Sequence, residues 1–386
     1  MPPIPLIDLK AQYSSLRPEI QAAMNEVLDA QRFILGPKVE ELEKLIAAMS
    51  GVPHAIGCAS GSDALILAIA AAGGREGTRV VTSPFTFFAS AGAIVHAGGR
   101  PAFCDIRPDT FNLDPEKLPA ALGPDVKAVV AVHLFGQMAE MDPILAVCAP
   151  RGIAVIEDAA QAIGATDRGA DGKAPERIAG SMGLAGCLSF FPTKNLGGAG
   201  DGGMITTTTE TLATRLRRLR VHGGLKMYHH DEVGWNSRLD ELQAAVLLVK
   251  AKRLDAWSTA RTARADIYDR LFAEARLPGP VSEGLVTPPV RRPGARHIFH
   301  QYTIRAAKRD ALREHLSARG IGSGVYYPVP LHLQKCFADL GYRAGDFPVS
   351  EKAAQEVLSL PIFPELTEAA QAEVVREIAA FYGLGR

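Results

Sequence analysis

The chain has 386 residues, 47% of them hydrophobic and 22% charged. These globular proportions exclude a wholly disordered chain and a small disulfide scaffold. Lys plus Arg number 42 and Asp plus Glu 42, a formal net charge of zero, which argues against nucleic-acid binding through bulk charge but leaves room for a local phosphate pocket.

In chain order, residues 18–30 carry Ile20, Ala23, Met24, Val27 and Leu28 at helical spacing, with Pro18 suited to a first turn. Residues 37–49 repeat the pattern with Val39, Leu42, Leu45 and Ile46 after the break at Gly36-Pro37. From residue 54 to 210, short apolar runs alternate with helical patterns. Strands are predicted at 79–82, 101–105, 128–134, 154–157, 187–191 and 204–208. Strands that are apolar on both faces belong to an α/β domain with a mainly parallel sheet. Residues 237–276 read as one or two long helices and 278–296 as a loop rich in Pro, Gly and Arg. Residues 301–305 are β-like, 309–319 helical and 324–327 strand-like, and helices close the chain. The expected division is a large domain at 15–250 and a smaller C-terminal α+β domain at 251–386, with residues 1–14 packed on the smaller one or on a partner chain.

The cysteines, Cys58, Cys104, Cys148, Cys187 and Cys336, are odd in number and form no C-x-x-C pair. Neither a disulfide framework nor a zinc site is predicted, so a reducing cytoplasm is expected. Residues 1–10 lack a basic stretch followed by an apolar run, so no signal peptide is expected. The longest apolar run, 64–72, falls short of the roughly 18 residues of a membrane helix. His229-His230 and His297 with His300 have no carboxylate or Cys at ligand spacing, and no metal site is expected.

Three local signals bear on chemistry. In Ser189-Phe190-Phe191-Pro192-Thr193-Lys194-Asn195-Leu196-Gly197-Gly198, a strand ends in a Lys between aromatic residues and glycines. Desolvation there lowers an amine pKa and frees it for a Schiff base, although a Lys after a strand is more often a surface residue. Asp158 and Gln161 follow the run Ala154-Val155-Ile156, at a strand end where α/β sheets bind ligands; Asp is equally common as a helix cap. Ser60-Gly61-Ser62-Asp63 opens an apolar helix, which makes either a phosphate site or an ordinary cap. Gly198-Ala199-Gly200-Asp201-Gly202-Gly203 matches G-x-G-x-x-G, but it precedes a predicted strand rather than a helix, so it is read as accidental.

The order of the three signals is informative: a phosphate turn, a strand-end Asp with Gln, then a Lys. Together they make the toolkit for pyridoxal phosphate. With Phe33-Ile34-Leu35-Gly36-Pro37, Pro84-Phe85-Thr86-Phe87-Phe88-Ala89, Gly234-Trp235-Asn236-Ser237-Arg238-Leu239-Asp240 and Tyr327-Pro328-Val329-Pro330-Leu331-His332, the chain resembles the DegT/DnrJ/EryC1/StrS family of sugar aminotransferases over nearly its whole length. The resemblance implies the fold of type I PLP-dependent transferases. It implies that Lys194 holds the aldehyde of pyridoxal 5'-phosphate and shuttles a proton. Asp158 would pair with the pyridine nitrogen, Gln161 would bond the 3′-oxygen, and Phe87 would stack on the ring. Gly61, Ser62 and Ser189 would bind the phosphate, with Asn236 reaching it from a neighbouring subunit. A homodimer with shared sites follows. The family's turn usually reads N-G-T-D, whereas this one reads Ser60-Gly61-Ser62-Asp63, and Ser62 keeps the hydroxyl of Thr. Lys rather than His at 194 favours transamination over the sugar dehydration of some relatives.

The resemblance also implies glutamate as amino donor and a nucleotide-linked keto sugar as acceptor, with residues 220–240 most like the subgroup acting at C3. Lys226, Tyr228, His229, Arg238 and His332 are the expected substrate contacts, the cations meeting the diphosphate. A UDP- or dTDP-linked hexose is expected; Met227 adds no charge for a uronic carboxylate. The competing readings are a PLP-dependent sugar dehydratase and a non-enzymatic regulatory protein on the same fold. The second lacks any helix-turn-helix or basic arm to support it.

Overall fold

The apolar runs become strands because their side chains fill two separate cores. A computed structural model describes residues 2–384 other than Ala170 and Gly284. Its strands in chain order begin with β1 (His54–Cys58), β2 (Arg79–Thr82), β3 (Arg100–Phe103), β4 (Val126–Val132) and β5 (Ala154–Asp158). Then come β6 (Thr166–Asp167), β7 (Arg177–Ile178), β8 (Ala185–Ser189) and β9 (Gly203–Thr207). The C-terminal part adds β10 (Val286–Thr287), β11 (Ala295–Arg296), β12 (Tyr302–Ala306) and β13 (Val357–Leu360). Seven strands form one sheet in the order β1-β9-β8-β5-β4-β2-β3. β3, β2, β4, β5 and β8 are parallel, and β9 is antiparallel to both of its neighbours. β1 therefore points the same way as β8, and six carboxyl ends share one edge.

Side chains alternate strictly across this sheet. Val81, Val129, Val155, Leu188 and Met204 enter one core with the helices Pro37–Met49 and Glu241–Ala251. Val80, Val130, Ile156, Cys187 and Ile205 enter the other with the helices Gly61–Ala71 and Glu210–Leu219. Both faces are covered, as the apolar sequence predicts. A third core joins the sheet β10-β12-β13 to the helices Leu254–Glu274, Arg309–Ala318 and Glu368–Phe381, and it takes in Ile4. The helix Leu254–Glu274 spans two cores, with Leu254 in the first and Tyr268 and Phe272 in the third. No helix among the described residues is long and apolar enough to cross a membrane.

Three expectations are corrected. The first helix runs Leu9–Ala30 and starts at Asp8, whose side chain accepts from Lys10 N and Ala11 N at 2.9 and 3.0 Å. Pro18 therefore lies inside it, not in its first turn. An interior Pro costs about 3 kcal/mol in isolation, and burial of Leu16 and Ile20 against Val246 and Val249 opposes that cost. β1 was not expected, because His-Ala-Ile-Gly-Cys has one β-branched residue; pairing along β9 and burial of Ala55 through Cys58 make it a strand. Residues 324–327 form no strand beyond a single bridge from Gly324 to Ser359. Pro328 follows with no N–H to continue a ladder.

Candidate active site

The shared carboxyl edge opens into a cavity of about 670 Å³. Strand register assembles its floor. Gly203 of β9 pairs with Cys58 on one side and Ser189 on the other. The turn after β1 thus meets the end of β8. A Cβ on Gly61 would stand 2.6 Å from the Ser189 Cβ, so this close approach requires glycine. Ser60 caps the helix Gly61–Ala71 by accepting from Asp63 N at 3.1 Å. The first-turn N–H groups of Gly61 and Ser62 have no intrahelical partner and lie in the cavity wall.

β5 supplies two acids whose side chains point to opposite faces. Glu157 is fully buried and accepts from Gly180, Met182 and Gly183 N–H at 2.7–2.8 Å, with the His133 Nε2 2.9 Å away. Burial pushes its pKa up, but His133 and these N–H groups outweigh that and hold it below the ordinary value. Glu157 therefore braces the sheet from behind. Asp158 lines the cavity. Its Oδ2 accepts from the Ser90 hydroxyl at 2.7 Å and its Oδ1 from Ala160 N at 3.2 Å. Gln161 is fixed at both ends: its Oε1 accepts from Phe135 N at 2.7 Å, and its Nε2 donates to the Tyr327 hydroxyl at 3.1 Å.

Lys194 follows β8 in a turn closed by its own N–H to Phe191 O at 2.9 Å. The turn is tight: a Cβ on Gly197 would lie 2.3 Å from Pro192 O. The Lys194 side chain reaches the same cavity as Asp158. Desolvation lowers its pKa to about 8, opposed in part by the charge of Asp158. Phe87 is 56% exposed, into the same space, with its ring centroid 6.2 Å from that of Tyr327.

Gly61, Ser62, Phe87, Asp158, Gln161, Ser189 and Lys194 thus converge from distant sequence positions on one cavity. The other expected residues do not line it within this chain. Asn236 is exposed and bridges to Val221. Lys226, Tyr228 and His229 project from an exposed loop closed by a bridge between Lys226 and His229. Arg238 is half-buried near Asn236. His332 is buried outside the cavity, its Nε2 3.1 Å from Glu351 and its ring edge-on to Phe347. Burial lowers its pKa, against Glu351, so its position does not favour a cation.

Four further residues were not singled out by sequence reasoning for this site. Tyr327 anchors Gln161, Ser90 donates to Asp158, and Thr86, itself in the cavity wall, meets the Ser90 hydroxyl. His300, weighed above only as a metal ligand, lines the cavity with its Nδ1 3.1 Å from Asn195 Oδ1. Burial and the neighbouring Lys194 and Arg261 charges hold it neutral, well below its ordinary pKa. No motif marks Ser90; a small residue in an apolar helix carries no signal until its partner is known.

Comparison with known proteins gives a consistent picture. The model of the DegT/DnrJ/EryC1/StrS aminotransferase family matches residues 14–379. A pleiotropic regulatory protein of Geobacillus stearothermophilus is 51% identical, covering 98% of both chains. A UDP-N-acetyl-3-dehydro-alpha-D-glucosamine 3-aminotransferase of Acidithiobacillus ferrooxidans is 43% identical, covering 95% of this chain and 94% of that one. The solved structure of S. venezuelae DesV in complex with a ketimine intermediate superimposes with a TM-score of 0.92 at 39% identity, covering 99% of each chain.

Proposed function

The chain belongs to the DegT/DnrJ/EryC1/StrS aminotransferase family, and from that premise we propose that it transfers an amino group from glutamate to the 3-keto position of a UDP- or dTDP-linked hexose, with pyridoxal 5'-phosphate as cofactor. It is a nucleotide-sugar aminotransferase. The observation that carries the reading is a lysine of pKa about 8 facing the same cavity as a buried carboxylate.

The residues fit the cofactor. The glycine-tight cradle of Gly61 and Ser189 and the helix N–H groups beside Ser62 suit a phosphate. The Asp158 carboxylate suits a protonated ring nitrogen, Gln161 the 3′-oxygen and Phe87 the ring face. When bound, the cofactor supplies an aldehyde to carry the amino group and an electron-withdrawing ring. Lys194 binds that aldehyde and later moves the proton between the substrate carbon and the cofactor. His300 lines the same cavity within reach of the Lys194 charge, its ring held by Asn195 Oδ1.

The free-amine fraction of Lys194 grows as pH passes its lowered pKa. Loading of pyridoxal phosphate onto apoprotein is therefore expected to speed up through about pH 8 and then level off. Stopped-flow absorbance across pH checks this. A rate still climbing near the ordinary lysine range of about 10.4 would contradict it.

Among the described residues lining the cavity, Lys194 is the one Lys or Arg, and in this reading its amine is committed to the cofactor aldehyde. The diphosphate and the glutamate carboxylates need others. Their source in this reading is a second copy, whose Asn236, Lys226, Tyr228, His229 and Arg238 complete the site. Mixing inactive K194A with inactive N236A subunits is then expected to restore activity, because one site of each hybrid dimer carries neither change. If mixed and re-equilibrated subunits stay inactive, the shared site is wrong.

The name of the Geobacillus relative supports a regulatory reading. A protein that acts by binding a partner has no use for a desolvated amine opposed to a carboxylate, so the enzymatic reading stands. All five cysteines are free thiols and four are buried, which supports a reducing, cytoplasmic setting.

A further inference from the structure

Asp158 is held by a hydroxyl pair, Ser90 outside the cavity lining and Thr86 within it, whose donors have one possible direction. Ser90 Oγ lies 2.7 Å from Asp158 Oδ2, and Thr86 Oγ1 lies 3.0 Å from Ser90 Oγ. All three residues are buried, at 0%, 5% and 2% exposure for Ser90, Asp158 and Thr86. An ionised carboxylate only accepts, so the single Ser90 proton goes to Asp158. Thr86 must then donate to the Ser90 oxygen. Each donation polarises the next, and both end on the carboxylate.

We propose that Ser90, seconded by Thr86, is a positioning residue for the amino transfer: with Ala160 N on Oδ1 it fixes the rotation of the Asp158 carboxylate and leaves the remaining lone pair of Oδ1 to face the cofactor ring nitrogen. This rests on the cofactor reading above. The backbone reinforces the arrangement, since Ser90 sits in the first turn of the helix Ala89–His96, immediately after Phe87 and Phe88 at the cavity wall. One short segment thus carries both the ring-facing Phe87 and the support for Asp158.

The test compares Ser90→Ala, Thr86→Val and Asp158→Asn as holoenzymes, each checked by thermal melting and far-UV circular dichroism. A hydrogen bond to a charged group supports a loss of about 10- to 100-fold. S90A is expected to lower kcat by that factor, to leave KM for the keto sugar unchanged and to move the visible absorption maximum of the bound cofactor. T86V removes the outer donor and should show a smaller effect of the same kind. Wild-type kcat and spectrum in S90A, with D158N impaired, would overturn the role of Ser90 alone. Equal loss in kcat and KM with an unmoved spectrum would also overturn it, since that pattern marks general disturbance. Wild-type behaviour in D158N would overturn the proposal together with the cofactor reading.

Discussion

Replacing Lys194 by Ala is expected to lower kcat for amino transfer from glutamate by at least roughly 10²- to 10⁴-fold, the range that a positioned proton-transfer group contributes. The loss has two sources. In the proposed reading the amine that would hold the cofactor aldehyde is gone, and so is the base that would move the proton. Stability should not suffer, because the wild-type fold desolvates an ammonium and pushes its pKa down to about 8; removing that group relieves the folded state. A melting temperature at or above that of the wild type is therefore expected beside the lost activity. Lys194→Arg should fare no better, since a guanidinium stays protonated at every working pH. A small primary amine in solution should restore part of the K194A activity by entering the vacated space. Full transfer by K194A in a coupled glutamate assay would remove Lys194 from the chemistry.

Most of the central sheet was legible because its strands are short apolar runs between turn residues. β2 spans 79–82 as expected, and β4, β5, β8 and β9 fall within two residues of the predicted runs. The cavity residues were legible for a different reason. Asp158 ends β5 while Gly61 and Lys194 follow β1 and β8, and strands that point the same way bring such positions to one edge whatever their sequence separation. What the sequence hid depends on tertiary partners. Glu157 and Asp158 are adjacent acids with opposite tasks, and only the pleat direction and the N–H groups of Gly180, Met182 and Gly183 separate them. Tyr327 reaches Gln161 across 166 residues of chain. His332 follows cavity-lining Leu331, yet Glu351 draws it away into the core. Asn236 and the loop around Lys226 make sense as site residues through a second copy, which a single chain cannot display.

Asp158→Asn is expected to separate charge from shape. The amide is isosteric, can still accept from Ala160 N, and can still meet Ser90 by turning its NH₂ toward the hydroxyl oxygen. The fold should survive. What disappears is the negative charge that, in the proposed reading, would face the protonated ring nitrogen. Leaving a buried cation without its partner costs about 3–5 kcal/mol, which corresponds to a fall of roughly 10²- to 10⁴-fold in kcat. A second effect has a definite sign. In the wild type the Asp158 charge raises the Lys194 pKa against the larger lowering by desolvation, for a result of about 8. Without that charge desolvation acts alone, so the midpoint for cofactor loading moves below about 8. D158N should thus load pyridoxal phosphate at lower pH than the wild type while turning over far more slowly. Loading followed by absorbance and turnover followed by glutamate consumption measure the two effects on one preparation. If both fall together, Asp158 is needed to bind the cofactor as well as to hold its charge. If loading moves down in pH and turnover stays at the wild-type rate, Asp158 acts on Lys194 and not on the ring, and the assignment of the two facing groups has to be revised.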